Sequence, residues 1–188
     1  MKVIVALAIV LATTALLPAA QQKPIKEEWM ILDGMLPSTS VDEMTARATA
    51  VIVATYTGKS QLKERQFSGS IARSTAYTFQ IQDIPKLHQY LPFVGNEIVL
   101  EMPGGDKEFP TYILREKDRD MIDSFKRERT YLIFLGWNEY LEQFVPQYGS
   151  GALFDVTDGE LIAIHHKGRN FDHTPAAGFV AAVRAAAR

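Results

Sequence analysis

A histidine-containing segment near the end of the chain has the residue types of a metal site. His165, Asp172 and His173 place two imidazoles and a carboxylate close together in sequence, and zinc sites use three or four such ligands. His166 adjoins His165, but neighbouring residues on a strand point to opposite faces, so these two rings are not expected to share one ion. A glycine and an asparagine between the histidines indicate a loop. An exposed turn is therefore the favoured interpretation, and no metal ion or other cofactor is predicted.

Three aromatic residues surround a predicted hairpin tip. Trp137 and Tyr140 flank the tip and Tyr148 follows it. Exposed aromatic side chains often anchor a binding surface, so these three residues are the candidate binding residues. The alternative is that they close one end of the folded domain.

The chain contains no complete catalytic motif. Gly58-Lys59-Ser60 resembles the end of a phosphate-binding loop, but the upstream glycine that such a loop requires is replaced by Val53. Gly149-Ser150-Gly151 lacks the strand-to-helix elbow that exposes a nucleophilic serine. Pairs of aspartates fit turns and surfaces. We therefore predict no catalytic residue.

The N-terminus has the layout of a secretory signal peptide. Lys2 precedes an apolar run from Val3 to Leu17, and Pro18-Ala19-Ala20 leads into a polar segment. The run is shorter than the roughly 20 residues that a membrane helix needs. Residues 1–20 are therefore predicted to be a cleaved signal, with a retained N-terminal anchor as the alternative, and no membrane span is expected after processing.

Charge and cysteine content exclude several classes of exported protein. The net charge is −2, and loss of Lys2 with the signal would make it −3, so no excess of cations would attract nucleic acid. The absence of cysteine excludes disulfide-framework proteins and a lipid anchor at the cleavage site. No Asn-x-Ser/Thr glycosylation site occurs. Together these features favour a bacterial periplasmic or secreted protein.

The remaining chain is interpreted as one domain. Residues 21–39 are polar and mixed and are interpreted as a linker to a domain at 40–188. Ser40 can cap a short helix through the amide of Glu43, and Thr174 is predicted to cap a second helix whose first residue is Pro175. Residues 115–129 carry six cations and five anions around three apolar side chains. This composition is typical of a solvated helix or loop that packs through a few apolar side chains.

Strand patterns fill the space between the two helices. The first strand is expected to stop at Gly58, with a polar loop over 59–69, and the second to end at Pro85. The stretch from Thr130 to Leu135 shows no alternation, which predicts a strand buried on both faces. The strands are predicted at 50–57, 73–84, 97–102, 130–135, 140–145, 152–156 and 161–164. This pattern predicts a mainly β protein: a small, closed or nearly closed antiparallel barrel with flanking N- and C-terminal helices.

The order of several motifs resembles a family of uncharacterised bacterial secreted proteins. The motifs are residues 45–53, 77–81, 94–100 with 103–105, and 129–135. The resemblance covers residues 40–157 and implies a five-stranded OB-like barrel, similar to netrin modules and tissue inhibitors of metalloproteases. Those inhibitors chelate zinc through an N-terminal cysteine, which this chain lacks, so that mechanism is not implied. Lys126-Arg127-Glu128 also stands where the family has a glycine.

These observations favour an exported binding module over an enzyme. The expected partner is a protein of unknown identity, met in the periplasm or outside the cell. One alternative is a secreted hydrolase, which would need His165, Asp172 and His173 to converge in a cleft. The other alternative is a structural or adhesion protein of the cell envelope.

Overall fold

A computed structural model describes residues 23–30, 40–67, 69–88, 95–118, 121, 123–139, 142–147 and 152–188 of the chain. The predicted signal peptide therefore lies outside the described residues. The described elements are mainly strands, with a helix before the long strands and another at the C-terminus. They are β1 (Ile25–Met30), α1 (Val41–Arg47), β2 (Ala50–Phe67), β3 (Ser70–Leu87), β4 (Glu97–Pro103), β5 (Gly105–Glu108), β6 (Ile113–Asp118), β7 (Thr130–Asn138), β8 (Gln143–Pro146), β9 (Leu153–Asp155), β10 (Ile162–Ala163), a 3-10 helix (His166–Phe171) and α2 (Ala176–Ala186).

The strands form two sheets. The larger has seven strands in the order β10-β9-β7-β2-β3-β4, with β8 also paired to β7, and all its pairings are antiparallel. The smaller has the order β1-β6-β5, in which β1 runs parallel to β6. Its strand β1 lies within the segment interpreted as a linker.

The central strand β7 is buried on both faces, as its unbroken apolar run predicts. Tyr131, Ile133 and Leu135 belong to one core, whereas Leu132 and Phe134 belong to a second core on the other side of the sheet. The second core also takes in apolar side chains of α1 and α2. Burial on both faces explains why this strand carries no alternating pattern.

The hairpin of β2 and β3 is longer than the sequence predicts. β2 does not stop at Gly58 but continues to Phe67, and the expected loop over 59–69 forms most of an arm that pairs with β3. The register shifts between Tyr56 and Ser60, and Gly58 lies in this irregularity with φ of +84°. A glycine there marks a bulge, which bends a strand without ending it.

The second strand also passes through its predicted end. β3 runs to Leu87, and Pro85 lies where the pairing with β2 shifts register between Val51 and Val53. Proline has no amide hydrogen and cannot donate a hydrogen bond to the neighbouring strand. At a bulge one backbone amide takes no part in strand pairing, so β3 can contain a proline at this position.

The predicted cap of α1 and the predicted turn between β9 and β10 are confirmed. Ser40 caps α1 by accepting a hydrogen bond from the Glu43 amide at 3.1 Å. α2 is present but begins at Ala176, so that Pro175, and not Thr174, is its N-cap residue. The β9–β10 hairpin turns through Gly159, whose φ is +86°. Among the described residues, no helix has the length and apolar composition to cross a bilayer.

The mainly β, antiparallel character of the fold is confirmed, with α1 before the long strands and α2 at the C-terminal end of the described chain. Within the part of the chain that the structure describes, no closed barrel is detected. β4 and β8 lie on opposite sides of β7 in the sheet, yet they contact each other, so the sheet is strongly curved. Barrel closure stays a prediction.

A buried carboxylate on β4 links this strand to the hairpin of β2 and β3. Glu101 is 8% exposed and accepts hydrogen bonds from Lys63 at 2.7 Å, Arg65 at 3.0 Å and Ser74 at 3.2 Å. Burial alone would raise the pKa of Glu101, but the hydrogen bonds and charges of Lys63 and Arg65 outweigh burial and hold it below its ordinary value.

We expect Glu101→Gln to lower the free energy of unfolding at pH 7 by about 1–3 kcal/mol, because charged hydrogen bonds are lost. A carboxyl group with a lowered folded-state pKa stabilises the fold above its unfolded-state pKa, and this contribution disappears as pH falls through the folded-state pKa. Wild type and variant should therefore converge in acid. Urea unfolding at pH 7 and pH 3 measures both effects, and Glu97→Gln, on an exposed position of the same strand, is the control. An equal deficit at both pH values would contradict this account.

Candidate functional site

A groove of about 800 Å³ separates the smaller sheet from the arm of the β2–β3 hairpin. This volume lies within the range of ligand-binding clefts. Each of the strands β1 to β6 contributes to its walls, and the segment before β7 forms the remaining side. The lining residues on which the argument below depends are Trp29, Leu62, Tyr77, Met102, Asp118, Met121 and Phe125.

A glycine turn brings the smaller sheet against the hairpin arm. Pro103 ends β4 and Gly105 begins β5, so the chain changes sheets through Gly104, whose φ is +89°. The Gly104 amide donates to the Arg73 carbonyl at 2.9 Å, and its carbonyl accepts from the Thr75 hydroxyl at 2.9 Å. The turn at Pro103-Gly104-Gly105 therefore connects the two sheets at the edge of the groove.

Gly105 lies close against the hairpin arm. Its φ is +142°, and a Cβ atom at this position would lie 2.3 Å from Oγ1 of Thr75 and 2.7 Å from Cδ1 of Leu62. Both contacts are shorter than van der Waals separation allows. Because glycine has no side chain, β5 can lie close to the hairpin arm beside the groove.

A network of ion pairs fastens the smaller sheet to the hairpin arm. Glu64 of β2 accepts from Arg73 of β3 and from Lys107 of β5, each at 2.9 Å, and Arg73 also contacts Glu116 of β6 at 2.5 Å. Hydrogen bonds from Lys107 and then Arg73 lower the pKa of Glu64. Burial would lower the pKa of Arg73, but its bonds to Glu64 and Glu116 outweigh burial and raise it. These ion pairs link β5 and β6 of the smaller sheet to the hairpin arm.

Phe125 forms the aromatic floor of the groove. Its ring centroid lies 6.2 Å from Tyr56, 5.1 Å from Tyr77, 4.9 Å from Phe79 and 5.0 Å from Tyr131. The ring is 8% exposed and belongs to the first core. Phe125 therefore separates the groove from the interior of the curved sheet.

The segment that carries Phe125 is anchored by a buried tyrosine. The amide of Lys126 donates to the Tyr131 hydroxyl at 2.7 Å, and burial raises the pKa of Tyr131. The prediction that residues 115–129 pack through a few apolar side chains is thus confirmed for Phe125. The prediction of a solvated helix or loop is wrong for residues 115–118, which belong to β6. The backbone of this charged stretch pairs with β1 on one side and with β5 on the other, and this pairing makes it a strand.

Trp29 lies at the mouth of the groove and is 57% exposed. Lys117 of β6 places its ammonium group 5.6 Å from the Trp29 ring centroid and pairs with Glu27 at 3.0 Å. An exposed tryptophan at the mouth of a cleft is typical of a contact residue.

A buried carboxylate and imidazole lie at the wall of the groove. Asp118 lines the groove, and its Oδ2 lies 3.8 Å from Nε2 of His165; each side chain is 4% exposed. Nδ1 of His165 accepts from the Lys167 amide at 3.3 Å. His165 is therefore positioned by the 3-10 helix behind the groove.

The three residues considered for a metal site have separate surroundings. His165 faces Asp118, Asp172 accepts from the Ala163 amide at 2.7 Å, and His173 contacts Glu160 at 3.0 Å on the surface. Among the described residues, no three His, Cys, Asp or Glu side chains are grouped so that they could hold a metal ion. His165 is buried and His166 exposed, as expected for neighbours on an extended chain.

Of the three aromatic candidates, the structure describes Trp137 alone. Its ring packs edge-on against Phe144 at 5.1 Å and against the first core, so it is partly buried by its own fold. Tyr140 and Tyr148 lie outside the described residues, and their role as binding residues stays a prediction.

The groove residues Trp29, Leu62 and Gly105 are not identified as site residues by sequence reasoning. Trp29 falls in the segment interpreted as a linker, and Leu62 falls in the expected loop. One sequence signal was present: Pro103 followed by two glycines marks a turn. Comparison of the chain with protein-family models, curated proteins and solved structures finds no match.

Proposed function

We propose that this protein is an exported binding module that takes a segment of another protein into the groove between its two sheets. The observation that carries this proposal is the groove itself, with its apolar floor of Phe125 and Tyr77 and with exposed Trp29 at its mouth. Clefts that combine apolar and polar lining residues with an aromatic contact residue are a common form of binding site.

The proposal includes an OB-like barrel and a location outside the cytosol. The contact between β4 and β8 across the curved sheet supports barrel closure. The layout of residues 1–20 supports export to the periplasm or the exterior of a bacterium. The separate surroundings of His165, Asp172 and His173 give a hydrolase no support.

Selection of random dodecapeptides displayed on phage, followed by anisotropy titration of a labelled enriched peptide, tests the proposal. We expect Trp29→Ala to weaken binding of that peptide about tenfold, equivalent to roughly 1.4 kcal/mol. The melting temperature should hardly change, because the Trp29 side chain is exposed. Leu62→Glu should weaken binding further by placing a charge within the groove.

Ile162→Ala is the matched control, because Ile162 is 41% exposed on β10 and does not line the groove. Binding by this variant should equal that of wild type. The proposal fails if no peptide is enriched, or if the Trp29 and Leu62 variants bind the enriched peptide as well as wild type does. An envelope structural protein would give the first of these results.

A further inference from the structure

Strand β1 is an outer strand of the smaller sheet. In the part of the chain that the structure describes, it pairs with β6 and with no other strand. Residues 25–29 are all exposed, and the exposed fractions of Ile25 and Trp29 are 49% and 57%. An outer strand presents a row of backbone donors and acceptors with which an extended peptide can pair. β1 is therefore a candidate site for a further strand.

The register of β1 on β6 shows which backbone groups of β1 point outward. The Ile113 amide of β6 donates to the Pro24 carbonyl at 3.0 Å, next to the first residue pair of the two strands. Successive residues of a strand direct their amide and carbonyl groups to opposite sides, so every second residue from Pro24 onward faces β6. The residues that lie between them direct their backbone groups away from β6, and these are Ile25, Glu27 and Trp29.

Side-chain contacts hold β1 in place beside the other strands of the smaller sheet. Just before the strand, Lys23 pairs with Glu108 of β5 at 2.5 Å. The ammonium group of Lys26 lies 4.2 Å from the ring centroid of Tyr112. Because these contacts order β1 in the absence of a partner, little further ordering of the strand is needed when a partner binds.

The charges of β1 disfavour pairing with a second copy of the same strand. Two antiparallel copies would be related by a two-fold axis, which places one residue of β1 opposite its own copy. In the three registers with the greatest overlap, this residue is Lys26, Glu27 or Glu28. Each register therefore sets like charges directly opposite each other, and such pairs destabilise a sheet. A segment of different sequence is the expected occupant.

We propose that the partner segment binds as an added strand along the outward edge of β1 and enters the groove beside Trp29. It forms hydrogen bonds with the backbone of Ile25, Glu27 and Trp29. The segment carries two apolar side chains four residues apart, one against Ile25 and one against Trp29, and no acidic residue opposite Glu27. Strand addition of this kind takes its affinity from backbone hydrogen bonds and its selectivity from alternate side chains. This inference rests on the proposed function and adds the conformation and sequence pattern of the partner.

A proline at position 27 tests this edge. Proline lacks the outward amide, but residue 27 does not donate to β6, so β1 can keep its place in the sheet. We expect Glu27→Pro to bind the display-enriched dodecapeptide at least tenfold more weakly than Glu27→Thr, which loses the same ion pair with Lys117 but keeps the amide. The two variants should have similar melting temperatures.

Amide exchange of the wild-type full chain, followed residue by residue by NMR, gives a second measurement that does not depend on any variant. The outward amides of Ile25, Glu27 and Trp29 should exchange rapidly in the free protein and at least tenfold more slowly at saturating peptide. The amides of Lys26 and Glu28 face β6 and should be protected already without peptide.

The outcomes separate this inference from the proposed function. If Trp29→Ala and Leu62→Glu weaken binding but Glu27→Pro binds as tightly as Glu27→Thr, strand addition is wrong although groove binding stands. If no peptide is enriched, the proposed function fails and strand addition fails with it. If Glu27→Pro does not fold, the wild-type exchange decides: unchanged exchange of the outward amides at saturating peptide would overturn strand addition.

Discussion

Replacing Phe125 with alanine is expected to lower the free energy of unfolding by about 3–5 kcal/mol. The loss has two sources: the ring leaves the first core, and a cavity opens among Tyr56, Tyr77, Phe79 and Tyr131. Domains of this size are stable by only about 5–15 kcal/mol, so the variant should approach unfolding. The groove would lose its floor in the same step.

Urea unfolding followed by circular dichroism measures this loss. Phe125→Leu retains most of the buried volume and should cost less than half as much. Phe109→Ala is a second control, because Phe109 is partly buried and stacks on Tyr112 outside the two main cores. Similar losses for Phe125→Ala and Phe109→Ala would contradict a central role for Phe125 in the core.

Gly105→Ala is expected to destabilise the protein by about 2–5 kcal/mol, from overpacking together with backbone strain. The added methyl group would meet the side chains of Thr75 and Leu62 at separations that require these side chains or the backbone of β5 to shift. Peptide binding in the groove should fall in parallel, because the smaller sheet forms one of its walls.

Gly159→Ala separates the two causes of this loss. Gly159 also has a positive φ, of +86°, but a Cβ atom there would meet nothing within 4 Å. Its substitution should therefore cost only the backbone strain, about 1–2 kcal/mol, and leave peptide binding intact. If Gly105→Ala is no more destabilising than Gly159→Ala, the close approach of the two sheets at Gly105 does not have the energetic weight assigned to it.

The parts of the fold that sequence predicts well are those specified by neighbouring residues. The run Thr130–Leu135 identifies a strand buried on both faces because no polar residue interrupts it. Ser40 identifies the start of α1 because capping needs one hydroxyl at one position. The Asp-Gly turn identifies the β9–β10 hairpin in the same way.

The long hairpin arm escapes prediction because its polar side chains hide a strand that pairs with β3 and with charged residues of later strands. The side chains of Lys63, Glu64 and Arg65 resemble those of a loop, yet they pair with Glu101, Arg73 and Lys107 on other strands. Strand β1 escapes for the same reason, since its hydrogen bonds go to β6, which is far along the chain.

The groove is harder to predict than either sheet. It arises where the two sheets meet, and no single segment contains its pattern. Phe125 carries a partial signal, as an apolar residue in a highly charged stretch. His165 is identified for its chemistry, but its pairing with Asp118 depends on the tertiary fold.

Amide hydrogen exchange of the full chain, with and without a peptide enriched by display, tests the groove most directly. Bound peptide is predicted to slow exchange in β5, in β6 and in residues 123–129, while exchange in β10 and α2 stays unchanged. Slower exchange confined to β10 and α2 at saturating peptide would contradict the assignment of the groove as the binding site.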